Sequence, residues 1–265
     1  MNRPARADVT ASYDLSVAGY IRRWSEVILP PAQEVVAALR LAPRSLVLDV
    51  GGGTGALVPA LRACAPDVRV VAFDASRGML RAGRDRTRVD AVLADAQVLP
   101  VRDDAADAVL LAYVLFHLED PDRAVAEAAR VLRLGARVGT VTWQSDHGLR
   151  AFATWDRLLS DAGAPPVPPR GVHEGLDSSE AIDALLRRGG FEPERIWPRQ
   201  LRAHWTAETY LDYALSTGMN QLRLAQVDRD TRATVIAEAR EQFGTLPADD
   251  FAWSGTVLCA IGARR

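Results

Sequence analysis

Between residues 45 and 143 the chain alternates short apolar runs with longer segments of helical pattern, and that alternation constrains the fold more than any other feature. The runs are SLVLDV (45–50), RVVAF (69–73), DAVLA (90–94), DAVLL (107–111) and RVGTVTW (137–143). Helical patterns fill 56–64, 76–84 and 121–133. The last is best marked, with Asp120 to cap it, Pro121 suited to its first turn and Gly135 just past its end. Strand, helix, strand in repetition predicts a doubly wound α/β fold, a parallel sheet with helices on both faces.

The first run ends in VLDVGGGTGAL (47–57), where four of the six residues after Asp49 are glycine. Glycines at the end of a strand allow positive φ and let a ligand reach the backbone, while the following helix start offers free N–H groups. The spacing also satisfies the dinucleotide fingerprint, with Ala56 in the last position, so the turn alone leaves two ligands open. Three acids separate them. Asp49 precedes the glycines and is placed to meet a cationic ammonium. Asp74 ends the second run about twenty residues after the turn, where a carboxylate can accept both hydroxyls of a ribose. Asp95 follows the third run, where it can accept from an adenine amino group. An amine, a ribose and an adenine, with no pyrophosphate to cradle, describe S-adenosyl-L-methionine.

At these residues the chain resembles the class I S-adenosylmethionine-dependent methyltransferases, most closely their small-molecule branch. The likeness rests on VLDVGGGTG, VVAFDASRGML, VLADAQVLPV and DAVLLAYVLFHLEDPDRAVAEAARVLRLGARVGTVTW, in the expected order over residues 44 to 143. It implies a Rossmann-like, mostly parallel seven-stranded sheet with the last strand antiparallel, plus an N-terminal helical cap and a helical insert. It also implies that Gly51, Gly53 and Gly55 lie beside the cofactor's methionine and ribose, and that Asp49 reaches its amino group. Asp74 and Ala75 would meet the ribose and adenine, Met79 the adenine face, and Asp95 with the Ala96 N–H the adenine edge. Tyr113 and Tyr20 complete the expected cofactor set. Where the family has Pro-Gly-Gly before the fifth strand, this chain has Leu134-Gly135-Ala136, which predicts a changed loop without loss of activity.

Such chemistry needs few catalytic side chains, because the cofactor supplies the electrophile and the protein brings the partners together. His117 could deprotonate an acceptor hydroxyl, since an unperturbed imidazole titrates near ~6.5. Four residues from Tyr113, it would share a helical face with it. His147, in SDHG beyond the fifth strand, is a second candidate base; His173 and His204 read as surface or loop residues. No acid opens the segment after the fourth strand, which weighs against a magnesium-dependent reaction, and no metal site is expected. The reading that follows is metal-independent methyl transfer to a small organic acceptor, most naturally a hydroxyl of a secondary-metabolite-like molecule. Two alternatives stand beside it: a member of the same fold that binds or cyclises a small molecule without methylating it, and an NAD(P)-dependent oxidoreductase.

Composition narrows the partners. A net charge of −2 and the lack of a basic, aromatic-studded stripe disfavour nucleic acid. All 32 basic residues are arginine, so no lysine is present for Schiff-base chemistry. Two distant cysteines, Cys64 and Cys259, suit a reducing cytoplasm. No apolar run reaches the roughly 18 residues of a spanning helix. A homodimer is compatible with all of this. The expected organisation is a single domain over 1–265. It comprises a helical cap (1–42), a cofactor-binding core (43–145), a loop insert (146–176), the C-terminal part of the sheet (177–205 and 246–265) and a helical lid (206–245). Within these, residues 9–40 read as two helices with the second opening near Pro30-Pro31, and Asp177 with Glu180 has capping-box spacing.

Overall fold

Every apolar run of the core becomes a strand in the computed structural model, which describes residues 6–147, 149–166 and 175–265. The strands are β1 Leu46–Val50, β2 Arg69–Asp74, β3 Asp90–Leu93, β4 Ala106–Ala112, β5 Leu132–His147, β6 Phe191–His204 and β7 Ala252–Arg264. They form a seven-stranded sheet ordered β3-β2-β1-β4-β5-β7-β6, with β7 antiparallel, as the resemblance implies. β1 pairs in parallel with β2 on one side and with β4 on the other. Val47, Leu48 and Val50 of β1 and Ala108 to Leu111 of β4 are all buried, the continuous apolar character that central parallel strands require.

The helices are α1 Arg6–Gly19, α2 Ser25–Ala38, α3 Val58–Cys64, α4 Arg77–Thr87, α5 Pro121–Val131, α6 Arg150–Asp161, α7 Ser179–Arg188, α8 Ala207–Ser216, α9 Gly218–Ala225 and α10 Arg229–Thr245. From β1 the chain winds outward through β2 and β3, then returns to β4 and β5 on the opposite side. Loops leaving β1 and β4 therefore diverge at their carboxyl ends, and open α/β sheets take their ligands at such a reversal.

Three local expectations are corrected. Pro30 and Pro31 lie inside α2 rather than at its start, and a π-helical turn, Tyr20–Trp24, precedes it. Burial of Ile28, Ala32, Val35, Val36 and Leu39 along one face outweighs the hydrogen bonds that the prolines remove. Gly135 caps no helix: α5 passes directly into β5, and the register against β4 shifts between Leu132 and Arg137. Gly135, at φ +75°, belongs to that bulge. The cap of α7 is Ser178, whose Oγ accepts the Ala181 N–H; the Asp177–Glu180 spacing is one residue out of register.

The described residues cluster into two compact units. One comprises Ile28–Ser145, Gly171–Gln200 and Thr256–Arg265, and holds β1 to β4 with α3, α4, α5 and α7. The other draws on Met1–Val27, Asp146–Arg170 and Leu201–Gly255. This second unit is mostly helical and aromatic. Tyr210 packs against Phe243 and Phe251, and Trp24 against Trp205, Tyr213 and Trp253. Arg223, only 2 % exposed, donates to the Pro165 carbonyl, to Ser160 Oγ and to Asp156, tying α9 to α6. Among the described residues no helix is long and apolar enough to cross a membrane.

Candidate active site

The glycine turn takes the conformation that its composition predicts. Gly51, Gly53 and Gly55 have φ of +74°, +53° and +68°. A side chain at Gly51 would collide with Val114, and one at Gly52 would come within 2.8 Å of Asp49 Oδ2. At Gly53 a Cβ would meet nothing nearer than 3.9 Å, so the open side of the turn lies there. The turn is held from below, where the N–H groups of Gly51 and Gly52 donate to the Phe73 carbonyl at 2.7 and 3.1 Å.

Asp49 lies just before that turn, 2 % exposed, and its Oδ2 has no hydrogen-bond partner among the described residues. Burial, and then repulsion from Asp74, push its carboxyl up to about 7. A buried, unmet carboxyl oxygen is costly unless something completes it, and a cation is the group that does so best. Asp74 is different. Its Oδ2 accepts the Gly53 N–H at 2.9 Å and its Oδ1 the Ser76 N–H at 2.8 Å. These two bonds fix the carboxylate beside the turn. A cation-seeking carboxylate, a face free of side chains and an anchored second carboxylate fit the amino, sulfonium and ribose parts of S-adenosyl-L-methionine.

Asp95 follows β3, which the Ala94 N–H ties to the Asp74 carbonyl at 3.0 Å. Its Oδ1 accepts from the Gln97 N–H at 2.9 Å and from Gln97 Nε2 at 3.3 Å. Gln97 in turn accepts the Asp120 N–H at the start of α5, so the loop bearing Asp95 and half-buried Ala96 is braced. Half-buried Ala75 lies between Asp74 and Ser76. Met79 is buried on α4, and its N–H donates to Ser76 Oγ.

Tyr113 and His117 do not share a helix. Tyr113 directly follows β4 at φ +59°, a conformation that costs a tyrosine, and His117 closes a 3-10 turn, Leu115–His117. The Tyr113 hydroxyl donates to the Ile28 carbonyl at 2.8 Å, and its ring lies 5.6 Å from that of Trp143. His117 is half-buried with its ring against Phe116. Tyr20 lies in the π turn of the other unit, its ring edge-on to Tyr13 at 6.0 Å. His147 ends β5, but its side chain lies outside the described part of the molecule, and His173 is outside the described residues altogether.

Two residues that sequence reasoning missed shape the site. Ser76 caps α4 and holds both Asp74 and Met79 in place; a serine directly before a helix was the available signal. Gly83 lets α4 press on the glycine turn, since a Cβ there would stand 3.0 Å from the Gly53 carbonyl oxygen. An isolated glycine inside a helical pattern was its only mark.

Residues 48–139 match the family model described as a methyltransferase domain. A ubiquinone/menaquinone biosynthesis C-methyltransferase of Acidiphilium cryptum is 31% identical over 198 residues, 68% of this chain and 76% of its own. An uncharacterised methyltransferase of Mycobacterium tuberculosis is 39% identical over 164 residues, 61% of this chain and 64% of its own. Among solved structures, the cyclase SpnF superposes with a TM-score of 0.60 at 20% identity, over 100% of this chain and 98% of its own, a likeness of fold. The acids and glycines at the strand tips, and a relative matched over most of its length, lead to one statement: the chain belongs to the class I S-adenosylmethionine-dependent methyltransferases.

Proposed function

We propose that this methyltransferase binds S-adenosyl-L-methionine at the tips of β1, β2 and β3 and transfers its methyl group, without a metal, to a hydroxyl of a small, secondary-metabolite-like acceptor. The observation that carries the reading is Asp49, buried with an oxygen unmet among the described residues, directly before a glycine-rich turn whose side at Gly53 is open. Asp49 would face the amino group, and the backbone at Gly51, Gly53 and Gly55 the methionine and ribose. Asp74 and Ala75 would hold the ribose, Met79 the adenine face, Asp95 and Ala96 the adenine edge, and Tyr113 the methionine end.

When bound, the cofactor supplies an electrophilic methyl group. The chain's own work is to orient the acceptor in line with it and to exclude water. His117, half-buried in the turn after β4, is the first candidate to take the acceptor's proton, and His147 the second. The Acidiphilium relative is named a C-methyltransferase of quinone biosynthesis, which supports a small organic acceptor and keeps carbon as the alternative atom. With two free thiols and a net charge of −2, a cytoplasmic setting is part of the proposal.

Calorimetry with S-adenosylhomocysteine, followed by incubation of the enzyme with methyl-labelled cofactor and a panel of phenols and polyketide alcohols, tests this reading. Label appearing on an acceptor oxygen supports it, and label on carbon corrects the acceptor atom. The fold likeness to a cyclase motivates one second reading. Saturable binding with all label retained in the cofactor while a substrate isomerises would favour it. Failure to bind S-adenosylhomocysteine at all sinks both.

A further inference from the structure

Away from the strand tips, α4 and the edge strand β3 line an open groove of about 980 Å³. Arg77, Arg81, Arg84 and Arg88 line it, all of them exposed. They recur every three or four residues, which sets them along one side of α4 and its C-terminal cap at a pitch of roughly 5–6 Å. Several arginines elsewhere are paired: Arg130 with Asp103 and Glu127, Arg137 with Glu194, Arg187 with Asp183 and Glu192. The four in the groove meet no carboxylate among the described residues, and only Asp85 and Asp90 on its wall offset them. A chain of net charge −2 thus presents a locally positive row here, four arginines against two aspartates.

The backbone beside that row is also open. Among the described residues β3 has one neighbour, β2. The Ala94 N–H donates inward to the Asp74 carbonyl, so strand alternation turns the backbone groups of Ala91 and Leu93 to the outer side. Leu93 is itself 49 % exposed. An exposed edge of this kind is a template for a further strand.

We propose that this groove docks an extended acidic segment of a protein partner, which adds to β3 as a strand and offers alternate carboxylates to the arginine row. Alternate residues of a strand are roughly 6.6 Å apart, close to the arginine pitch, so one side chain in two finds a guanidinium. Single-stranded nucleic acid is the lesser fit, because no aromatic side chain lines the groove to stack a base. This surface is separate from acceptor methylation and does not rest on it.

Fluorescence anisotropy of the full chain with a labelled, acetylated heptapeptide of alternating glutamate and threonine is the test. Saturable binding at low salt is expected. It should weaken at least tenfold in Arg81→Glu/Arg84→Glu, in the glutamine version of the peptide, and in a version with alternate backbone nitrogens methylated to block strand pairing. Affinity for S-adenosylhomocysteine, unchanged in the variant, certifies its fold; if that variant is unstable, Arg77→Glu/Arg88→Glu replaces it. Absence of saturable binding overturns the proposal, as does equal binding by the variant. Unchanged binding of the methylated peptide refutes strand addition. Tighter binding of an oligouridine with the same arginine dependence would assign the groove to nucleic acid instead.

Discussion

The tips of β1 and β2 each place an aspartate against the same glycine turn, and the fold treats the two in opposite ways. Asp74 is partly open to solvent and has both oxygens engaged by backbone N–H groups, those of Gly53 and Ser76. Asp49 is buried, with one oxygen unmet and its carboxyl raised to about 7. Asp74 therefore belongs to the architecture of the turn. An ionised Asp49 is a cost to the free protein, which a proton or a cation from outside relieves. A satisfied group beside an unsatisfied one separates a binding site from an ordinary strand-to-helix turn.

Removing Asp74 should have the largest effect. Asp74→Ala takes away a ligand contact and leaves two backbone donors without acceptors. Affinity for S-adenosylhomocysteine should fall ~100-fold, and the fold should lose about 1–3 kcal/mol. Unchanged affinity by calorimetry would sink the ribose assignment. Gly53→Ala comes next, because the Cβ enters the open side of the turn at a positive φ. A loss of about 1–2 kcal/mol in stability is expected from the backbone conformation, with an additional roughly tenfold loss of cofactor affinity that melting in the free state would not reveal.

Asp49→Asn should split binding from stability. Affinity should fall about tenfold, in line with loss of one charge-assisted contact, while the melting temperature of the free protein at pH 8 should rise by about 2–4 °C as the buried charge disappears. A lower melting temperature would make Asp49 a structural residue and erase its contrast with Asp74.

The smallest effect is in pH. The folded value of Asp49 lies above that of the unfolded chain, ~3.9, so between about pH 4 and pH 7 the folded protein holds a proton that the unfolded one has lost. Stability contributed at this residue is therefore greatest below pH 4, declines across that window and levels off above it. Binding of an ammonium favours the ionised form, so cofactor affinity should instead rise as pH passes through about 7. Calorimetry in buffers of different ionisation enthalpy should detect release of part of one proton, and none in Asp49→Asn.

Some of this was legible in the residues and some was not. The strands of the core were readable because buried parallel strands are uninterrupted apolar runs, and Asp49, Asp74 and Asp95 because each lies at the end of such a run. Whether Tyr113 and His117 share a face was not legible, because four-residue spacing says nothing when the chain turns at a positive φ. Gly135 looked like a helix cap because a glycine after a helical pattern usually is one, whereas here it serves a bulge.

The sequence alone determined the order of strands and helices, the positive-φ turn and the positions of the strand-tip acids, since these follow from local periodicity and from what glycine permits. Tertiary structure decided which carboxylate is buried and unmet, which is anchored, and that the arginines of α4 share a groove with an open strand edge. Burial, hydrogen-bond completion and neighbouring charge depend on residues distant in the chain, and no local pattern encodes them.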